Sequence, residues 1–198
     1  MTGRCAWCGQ DPLYVHYHDT DWGVPETDGR ALWEKLILDG FQAGLSWITI
    51  LRKRDNFRRA FAGFDPAVVA TWGEADVARL LGDAGIVRHR GKIEATIINA
   101  QAYLRIEERE GFAPFLWGFV DGRPINLLPR TMADITTTSP QSHAMSKALK
   151  AEGFRFCGPT ITHAFMEAVG MINDHVAGCH RQAPVAALGK LVHVPRRG

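Results

Sequence analysis

The sequence predicts an all-α protein, and three observations support this fold class. Apolar residues recur at helical spacing in most segments after residue 27, and the two-residue alternation typical of half-buried strands is scarce. Helix-start signals also precede apolar segments, as where Asp65-Pro66 places a capping carboxylate before a proline suited to the first turn. We expect one domain covering residues 1–198, a length that suits a single core.

The N-terminal half is predicted to begin irregularly and then to form successive helices. Residues 1–27 scatter aromatic residues among Asp, His and Pro. Asp28 can cap a helix whose apolar face includes Leu32 and Leu36, one turn apart. The segment Gly44–Leu51 has a strand-like composition, but it runs into phenylalanines at helical spacing, so we favour a helix there.

The second half continues the helical pattern. Further helices are predicted over residues 74–81, 92–110, 114–120, 140–151 and 159–171. The tail after Met171 is less regular, and we expect it to pack against residues 1–27.

Composition restricts the classes of function. The net charge is only +2, so nucleic-acid binding would have to depend on local basic patches. We find neither a signal peptide nor an apolar run long enough to span a membrane, and we expect a cytoplasmic protein. In a reducing compartment, the four cysteines are better explained by metal ligation than by disulfides.

Cysteines and histidines gather near both ends of the chain. They are Cys5, Cys8, His16 and His18 near the start, and His163, His175, Cys179 and His180 near the end. His175 and Cys179 would lie one helical turn apart, and Cys5-x2-Cys8 is also a ligand-type spacing. A Cys2His2 set drawn from both ends would form a closed structural zinc site. Unrelated surface histidines and buried cysteines are the alternative.

A short basic segment separates two predicted helices. It spans Gly85–Lys92 and contains Arg88, His89, Arg90, Gly91 and Lys92. Glycines allow backbone N–H groups to approach a phosphate, and the next helix presents its positive end. The segment therefore fits a hairpin that grips the DNA backbone, although an ordinary solvated turn has the same composition.

Aromatic residues are concentrated near acidic and amide groups. They are Trp7, Tyr14, Tyr17, Trp22 and Trp47, with Asp39 and Gln42 between the helices. Aromatic faces beside a carboxylate suit a flat cationic ligand. Burial in the core is the commoner fate of each ring taken singly.

Eight blocks of this sequence resemble the bacterial DNA-3-methyladenine glycosylase I family. The blocks are Arg4–Trp7, Asp11–Tyr14, Tyr17–Asp19, Asp21–Pro25, Gln42–Trp47, Asp83–Ile93, Ser146–Lys150 and Asn173–Val176. The resemblance extends over residues 4–180 and leaves out the tail from residue 181 onward.

The resemblance implies a helix-hairpin-helix glycosylase fold with one structural Zn²⁺ per chain. The implied zinc ligands are Cys5, His18, His175 and Cys179. Cys8 departs from the family pattern.

The same resemblance assigns the base pocket and the DNA contacts. The implied residues are Asp39, Tyr17 and Trp47 in catalysis, Trp7, Tyr14 and Trp22 in base binding, and Gly85, Arg88, His89, Arg90, Gly91 and Lys92 in DNA binding. The family has glutamate as its pocket acid where this chain has Asp39, so the hydrogen bond to the base is expected to differ while the charge is kept.

The implied reaction is hydrolysis of the N-glycosidic bond of 3-methyladenine in double-stranded alkylated DNA. The base must first leave the helical stack, and its positive charge makes it a good leaving group. No lysine is placed to form a Schiff base, and the helix after the hairpin lacks the aspartate of many related glycosylases. We therefore expect a monofunctional, monomeric enzyme.

Two other interpretations remain open from the sequence alone. A zinc-stabilised DNA-binding module without catalysis would explain the hairpin and cysteines, but it gives the aromatic cluster no role. A hydrolytic metalloenzyme would need an open metal position, which four protein ligands would close.

Overall fold

The computed structural model describes residues 3–195, which form ten α-helices, short 3₁₀ turns and one strand pair. The helices are α1 (Pro12–Thr20), α2 (Gly29–Gln42), α3 (Trp47–Ala60), α4 (Pro66–Val69), α5 (Glu74–Leu81), α6 (Arg90–Arg109), α7 (Phe112–Trp117), α8 (Pro140–Ala151), α9 (Pro159–Ala168) and α10 (Gln182–Gly189). The mostly helical architecture confirms the predicted fold class at that level. The expected domain also includes residues 1–2 and 196–198, which lie outside the described residues.

Helix α2 is central, because it packs against α3, α6, α7 and α9. Its start follows the predicted signal: the Asp28 carboxylate accepts a hydrogen bond from the N–H of Ala31 at 2.8 Å. The buried face of α2 includes Trp33, whose ring meets that of Phe64 edge-on with centroids 5.9 Å apart. Phe64 in turn stacks on Phe61 at 5.6 Å, and the Phe61 ring lies 5.8 Å from that of Phe41, also on α2.

Helix α1 corrects the prediction that residues 1–27 are irregular. Asp11 caps this helix by accepting from the N–H of Tyr14 at 3.2 Å, and Pro12 occupies its first turn. The apolar spacing did not predict α1, because this helix has no apolar stripe: only Tyr17 and His18 are buried along it. A short helix with so little buried surface depends on what those two side chains contact.

The C-terminal segment is also more regular than expected. Strands β1 (Ile125–Asn126) and β2 (Ile172–Asn173) pair in parallel, and α10 follows. Gly3 forms a bridge with Cys179, and its carbonyl accepts from the N–H of His180 at 2.9 Å. The two terminal segments therefore lie together. Within residues 3–195, no helix combines the length and apolar character needed to cross a membrane.

Candidate functional site

Four side chains from the two ends of the chain meet in a buried cluster. Cys5, His18, His175 and Cys179 each offer a ligand atom, and all four atoms lie within 4.8 Å of one another. Cys179 Sγ lies 3.4 Å from both His18 Nε2 and His175 Nδ1, and Cys5 Sγ lies 3.6 Å from His175 Nδ1. Metal–sulfur bonds of about 2.3 Å and metal–nitrogen bonds of about 2.0 Å in a tetrahedron give nitrogen–sulfur separations of roughly 3.5 Å. The spacing thus fits a tetrahedral metal ion.

The outer nitrogen of each histidine supports the same interpretation. His18 Nδ1 lies 2.8 Å from a carboxylate oxygen of Asp19, and His175 Nε2 lies 3.2 Å from the carbonyl oxygen of Trp22. An acceptor at the outer nitrogen holds the proton there and turns the inner nitrogen's lone pair toward the cluster, where His18 Nε2 also lies 3.4 Å from the backbone nitrogen of Cys5. Gly23, with φ +82°, lets the chain pass close by, since a Cβ there would lie 3.1 Å from His175 Nε2.

Cys8 is buried but does not join the cluster. Its thiol donates to the carbonyl oxygen of Cys5 at 3.2 Å, and burial raises its pKa. The structure thus places Cys5, and not Cys8, with the three other residues named from the sequence.

A cavity of about 230 Å³ lies beside the cluster. Its walls include the six aromatic and acidic residues singled out from the sequence: Trp7, Tyr14, Tyr17, Trp22, Asp39 and Trp47. Gln42, Lys35, Met132, Ile135, Ala164, Glu167 and Ala168 complete the lining. The fold therefore gathers side chains from α1, α2, α3 and α9 around one space. The segments just before and just after α1 add Trp7 and Trp22.

The aromatic rings pack against one another without filling this cavity. The Trp7 ring lies 5.0 Å from those of Tyr14 and Trp22, and Tyr17 lies 5.5 Å from Trp47. Burial beside Asp39 keeps the pKa of Tyr17 well above its ordinary value, so its hydroxyl stays neutral. Flat apolar walls with tilted neighbours leave ring faces available for stacking a planar ligand.

The acid of the cavity already has a cation beside it. One carboxylate oxygen of Asp39 lies 2.5 Å from Lys35 Nζ, which is also 3.9 Å from the centre of the Trp47 ring. Among the described residues, the second oxygen of Asp39 has no hydrogen-bond partner. Burial raises the pKa of Asp39 and lowers that of Lys35, and the attraction between the two charges opposes both shifts.

Lys35 and Glu167 also line the cavity, and neither was predicted from the sequence. Lys35 lies on α2 one turn before Asp39, so the helical spacing could have indicated the pair. Glu167 lies on α9, far along the chain, and only the packing of α9 against α2 brings it to the cavity.

The basic segment forms the connection from α5 to α6. Arg88, His89 and Arg90 are exposed, and His89 caps α6 by accepting from the N–H of Lys92 at 3.2 Å. Arg90 is held by Glu74 at 3.0 Å, which reduces its availability to other anions.

Lys92, predicted from the sequence to contact DNA, has its ammonium inside the fold. Its side chain is buried, and Nζ donates to the carbonyl oxygens of Phe41 and Ala43 at 2.8 and 2.6 Å. These carbonyls end helix α2, where a cation is favoured by the unpaired acceptors and the helix dipole. The ammonium is thus already hydrogen-bonded inside the fold, which argues against the DNA contact predicted for Lys92.

A family model described as methyladenine glycosylase matches residues 7–182. The chain is 55% identical over 177 residues to DNA-3-methyladenine glycosylase 1 of Escherichia coli (strain K12), covering 89% of this chain and 95% of that protein. It is 45% identical over 181 residues to DNA-3-methyladenine glycosylase of Haemophilus influenzae (strain ATCC 51907 / DSM 11121 / KW20 / Rd), covering 90% and 97%.

Solved structures agree with the sequence relatives. A crystal structure of a 3-methyladenine DNA glycosylase I superposes with a TM-score of 0.89 at 54% identity, covering 90% of this chain and 98% of that one. A Staphylococcus aureus 3-methyladenine DNA glycosylase I, studied for 3-methyladenine recognition, superposes at 0.88 with 40% identity, covering 90% and 96%.

Proposed function

Because the chain belongs to the methyladenine glycosylase family, we propose that its aromatic cavity holds 3-methyladenine while the enzyme hydrolyses the N-glycosidic bond. The chain is a DNA glycosylase that removes this base from alkylated DNA, the first step of base-excision repair. The observation that carries the proposal is the convergence of five aromatic residues and one buried acid on one cavity. A non-catalytic DNA-binding module gives that convergence no purpose.

The cavity suits a base that has left the DNA stack. Stacking on exposed ring faces compensates for the stacking lost in the duplex, and the methylated base carries a positive charge that makes it a good leaving group. Tyr17 and Trp47 are proposed to hold the base, with Trp7, Tyr14 and Trp22 shaping the remaining wall. Water then attacks C1′ of the sugar as the base departs, and we propose a monofunctional, monomeric enzyme acting on double-stranded DNA.

Asp39 is proposed to supply the charge that favours a cationic base. Lys35 competes with that base both for the carboxylate and for the face of Trp47. The unpartnered second oxygen of Asp39 supports the assignment, since a buried acceptor without a donor gains most from a ligand that supplies one.

The connection between α5 and α6 is proposed to be the hairpin of a helix-hairpin-helix motif that grips the phosphate backbone. Exposed Arg88 and His89, together with the backbone of Gly85, Arg90 and Gly91, are the groups that support a phosphate contact. Lys92 instead joins the start of α6 to the end of α2, the helix that carries Asp39. The hairpin and the cavity are thereby fixed to each other.

The Cys/His cluster is proposed to bind one structural zinc ion through Cys5, His18, His175 and Cys179. Two thiolates and two imidazoles are a preferred zinc set, and they leave no position open for a substrate. When bound, the ion would supply folding free energy and would take no part in the reaction.

The test is release of free base from methylated DNA. Chromatography of the product should show 3-methyladenine set free without cleavage of the strand. Failure to release 3-methyladenine by folded, metal-loaded protein would contradict the proposal. Strand cleavage that accompanies release would contradict its monofunctional part.

A further inference from the structure

Lys35 occupies the part of the cavity that best suits the charge of an alkylated base. Its Nζ lies 2.5 Å from a carboxylate oxygen of Asp39 and 3.9 Å from the centre of the Trp47 ring. A carboxylate and an aromatic face are also the groups that the proposed function assigns to a cationic base. The cavity therefore has a resident cation of its own, and an entering base must either bind around this ammonium or displace it.

Few contacts hold the Lys35 ammonium in place. Among the described residues, Asp39 is its only hydrogen-bond partner, although an ammonium has three donors. The Lys92 ammonium, by comparison, donates to two carbonyl oxygens. Lysine also carries its charge at the end of a flexible four-carbon chain. A ligand that displaces the Lys35 ammonium thus has one ion pair and one ring contact to replace.

A second cavity, of about 310 Å³, adjoins the first and shares Lys35, Trp47 and Ala168 with it. The other charged residues that line it are Asp21, Glu26, Glu34, Arg54 and Arg58. These are three carboxylates and two guanidiniums, so the lining without Lys35 has an excess of one negative charge. Lys35 therefore stands between the proposed base-binding space and a space whose size and charge suit an ammonium.

The unmatched charge of the second cavity belongs to Glu26. Asp21 pairs with Arg54 at 2.9 Å, and Glu34 pairs with Arg58 at 2.7 Å. Glu26 has no ion pair among the described residues, and its Oε1 accepts two backbone N–H groups, both at 2.8 Å. A cation that enters this cavity would therefore find one carboxylate without a guanidinium partner.

We propose that Lys35 is a specificity-determining residue: it is an internal cation that a positively charged base displaces from Asp39 toward the second cavity, and that a neutral base leaves in place. This inference rests on the proposed base-binding role of the first cavity. A neutral purine has no charge with which to replace the ammonium at the carboxylate, so it meets an acid and a Trp47 face that are already taken. Glu167 lines the first cavity itself, so an ammonium beside it would still share that space with the base.

The same exchange runs in reverse once the glycosidic bond is broken. That bond breaks with both electrons passing to the base, which cancels the positive charge of the base. The oxygen of water bonds to C1′, and one proton leaves to solvent. The base is then neutral and no longer competes for Asp39, so Lys35 returns to the carboxylate and to the face of Trp47. Lys35 thus favours a cationic substrate and expels a neutral product.

The experiment compares Lys35→Met with Lys190→Met. Both changes remove one ammonium, but Lys190 is exposed just after α10 and lines neither of the two cavities. We expect Lys35→Met to bind free 3-methyladenine and free adenine, both neutral, roughly tenfold more tightly than wild type in calorimetry. Lys190→Met should bind them as wild type does. Added 3-methyladenine should also inhibit base release by Lys35→Met at a correspondingly lower concentration.

The proposed route of the ammonium has a test of its own in Glu26→Gln. Glutamine keeps the oxygen that accepts the two backbone N–H groups and removes the negative charge. It should slow single-turnover release of 3-methyladenine from DNA by roughly threefold or more, because the displaced ammonium loses the charge that receives it. In the Lys35→Met background the same change should have no effect, whereas a purely structural effect of Glu26→Gln would appear in both backgrounds.

Two results would overturn the proposal. One is a folded Lys35→Met variant that binds both free bases no more tightly than wild type, because the ammonium would then have only a structural role. The other is an effect of Glu26→Gln that is absent from both backgrounds or equal in them. If Lys35→Met fails to fold, Lys35→Gln keeps a donor for Asp39 without the charge, and the same gain in affinity is required of it. Failure of wild type to release 3-methyladenine would instead reject the proposed function.

Discussion

Lys92 Nζ lies 2.6 Å from the carbonyl oxygen of Ala43, so the first turn of α6 is bonded to the end of α2. The ammonium of a residue in the predicted basic hairpin is thus hydrogen-bonded inside the protein. Because of this contact, we expect replacement of Lys92 and replacement of the nearby Arg88 to have different effects.

Replacement of Lys92 by methionine should reduce stability and leave the electrostatics of DNA binding unchanged. One buried and one partly buried carbonyl would lose a charged donor, and we expect the free energy of unfolding to fall by about 2–3 kcal/mol. Denaturant unfolding measures this loss. A salt dependence of DNA binding that changes by a full phosphate contact would instead show that Lys92 reaches the DNA.

Arg88→Ala should have the opposite effect to the Lys92 replacement: weaker DNA binding at unchanged stability. Arg88 is exposed in the connection between α5 and α6, so its loss should leave the unfolding midpoint unchanged. Binding should weaken about equally for all DNA sequences, and the slope of log affinity against log salt should decrease by about 1. Fluorescence anisotropy over a range of salt concentrations checks this. An unchanged slope would remove Arg88 from the phosphate contacts.

Cys179→Ser should abolish metal binding and strongly lower stability. Cys179 lies 3.4 Å from both histidine nitrogens of the cluster, so its loss removes one of four ligands. Elemental analysis should give one zinc per wild-type chain and much less in the variant. Cys8→Ser is the control, because its thiol donates to backbone carbonyls and does not belong to the cluster, and it should retain the metal. Metal loss in both variants alike would contradict the assigned ligand set.

Asp39→Asn should weaken binding of free 3-methyladenine about tenfold or more, because a charge-assisted hydrogen bond is lost. The single variant also leaves Lys35 without its counter-ion, so it should unfold more easily. A Lys35→Met/Asp39→Asn double variant removes both charges and should recover stability without recovering affinity. Calorimetry and thermal unfolding separate the two effects. Wild-type affinity in the double variant would show that Asp39 is not the acid that binds the base.

Local signals predicted the main helices well. Asp28 and Asp65 mark helix starts that the structure confirms, and the residues 140–151 helix agrees at both ends. Helix α1 was missed although Asp11-Pro12 carries the same start signal as Asp65-Pro66. Its inner face lines a cavity and supplies a ligand-type side chain to the Cys/His cluster, so it lacks the apolar repeat that a packed helix shows.

The sequence predicted the residue types that line the cavity, but it did not predict which side chains contact one another there. Trp7 and Tyr17 were placed correctly in one aromatic group, as the cavity shows. Glu167 could not be placed, because its role depends on the packing of α9 against α2. For Lys92, the basic run predicted an exposed side chain. The structure buries it, because the fold brings two carbonyl acceptors to its ammonium.

The junction of Gly3 with Cys179, together with the Cys/His cluster, joins the N-terminal segment to the segment before α10. Chain ends usually fray first, yet here Trp7, Tyr14 and Tyr17 of the N-terminal segment form part of the cavity wall. A clip joining residues 5 and 179 exists only in the folded chain, so it stabilises the fold by the free energy of binding at the cluster and not by restricting the unfolded chain. Loss of the clip should therefore open the cavity from its N-terminal side while the helices around α2 still exchange slowly with solvent.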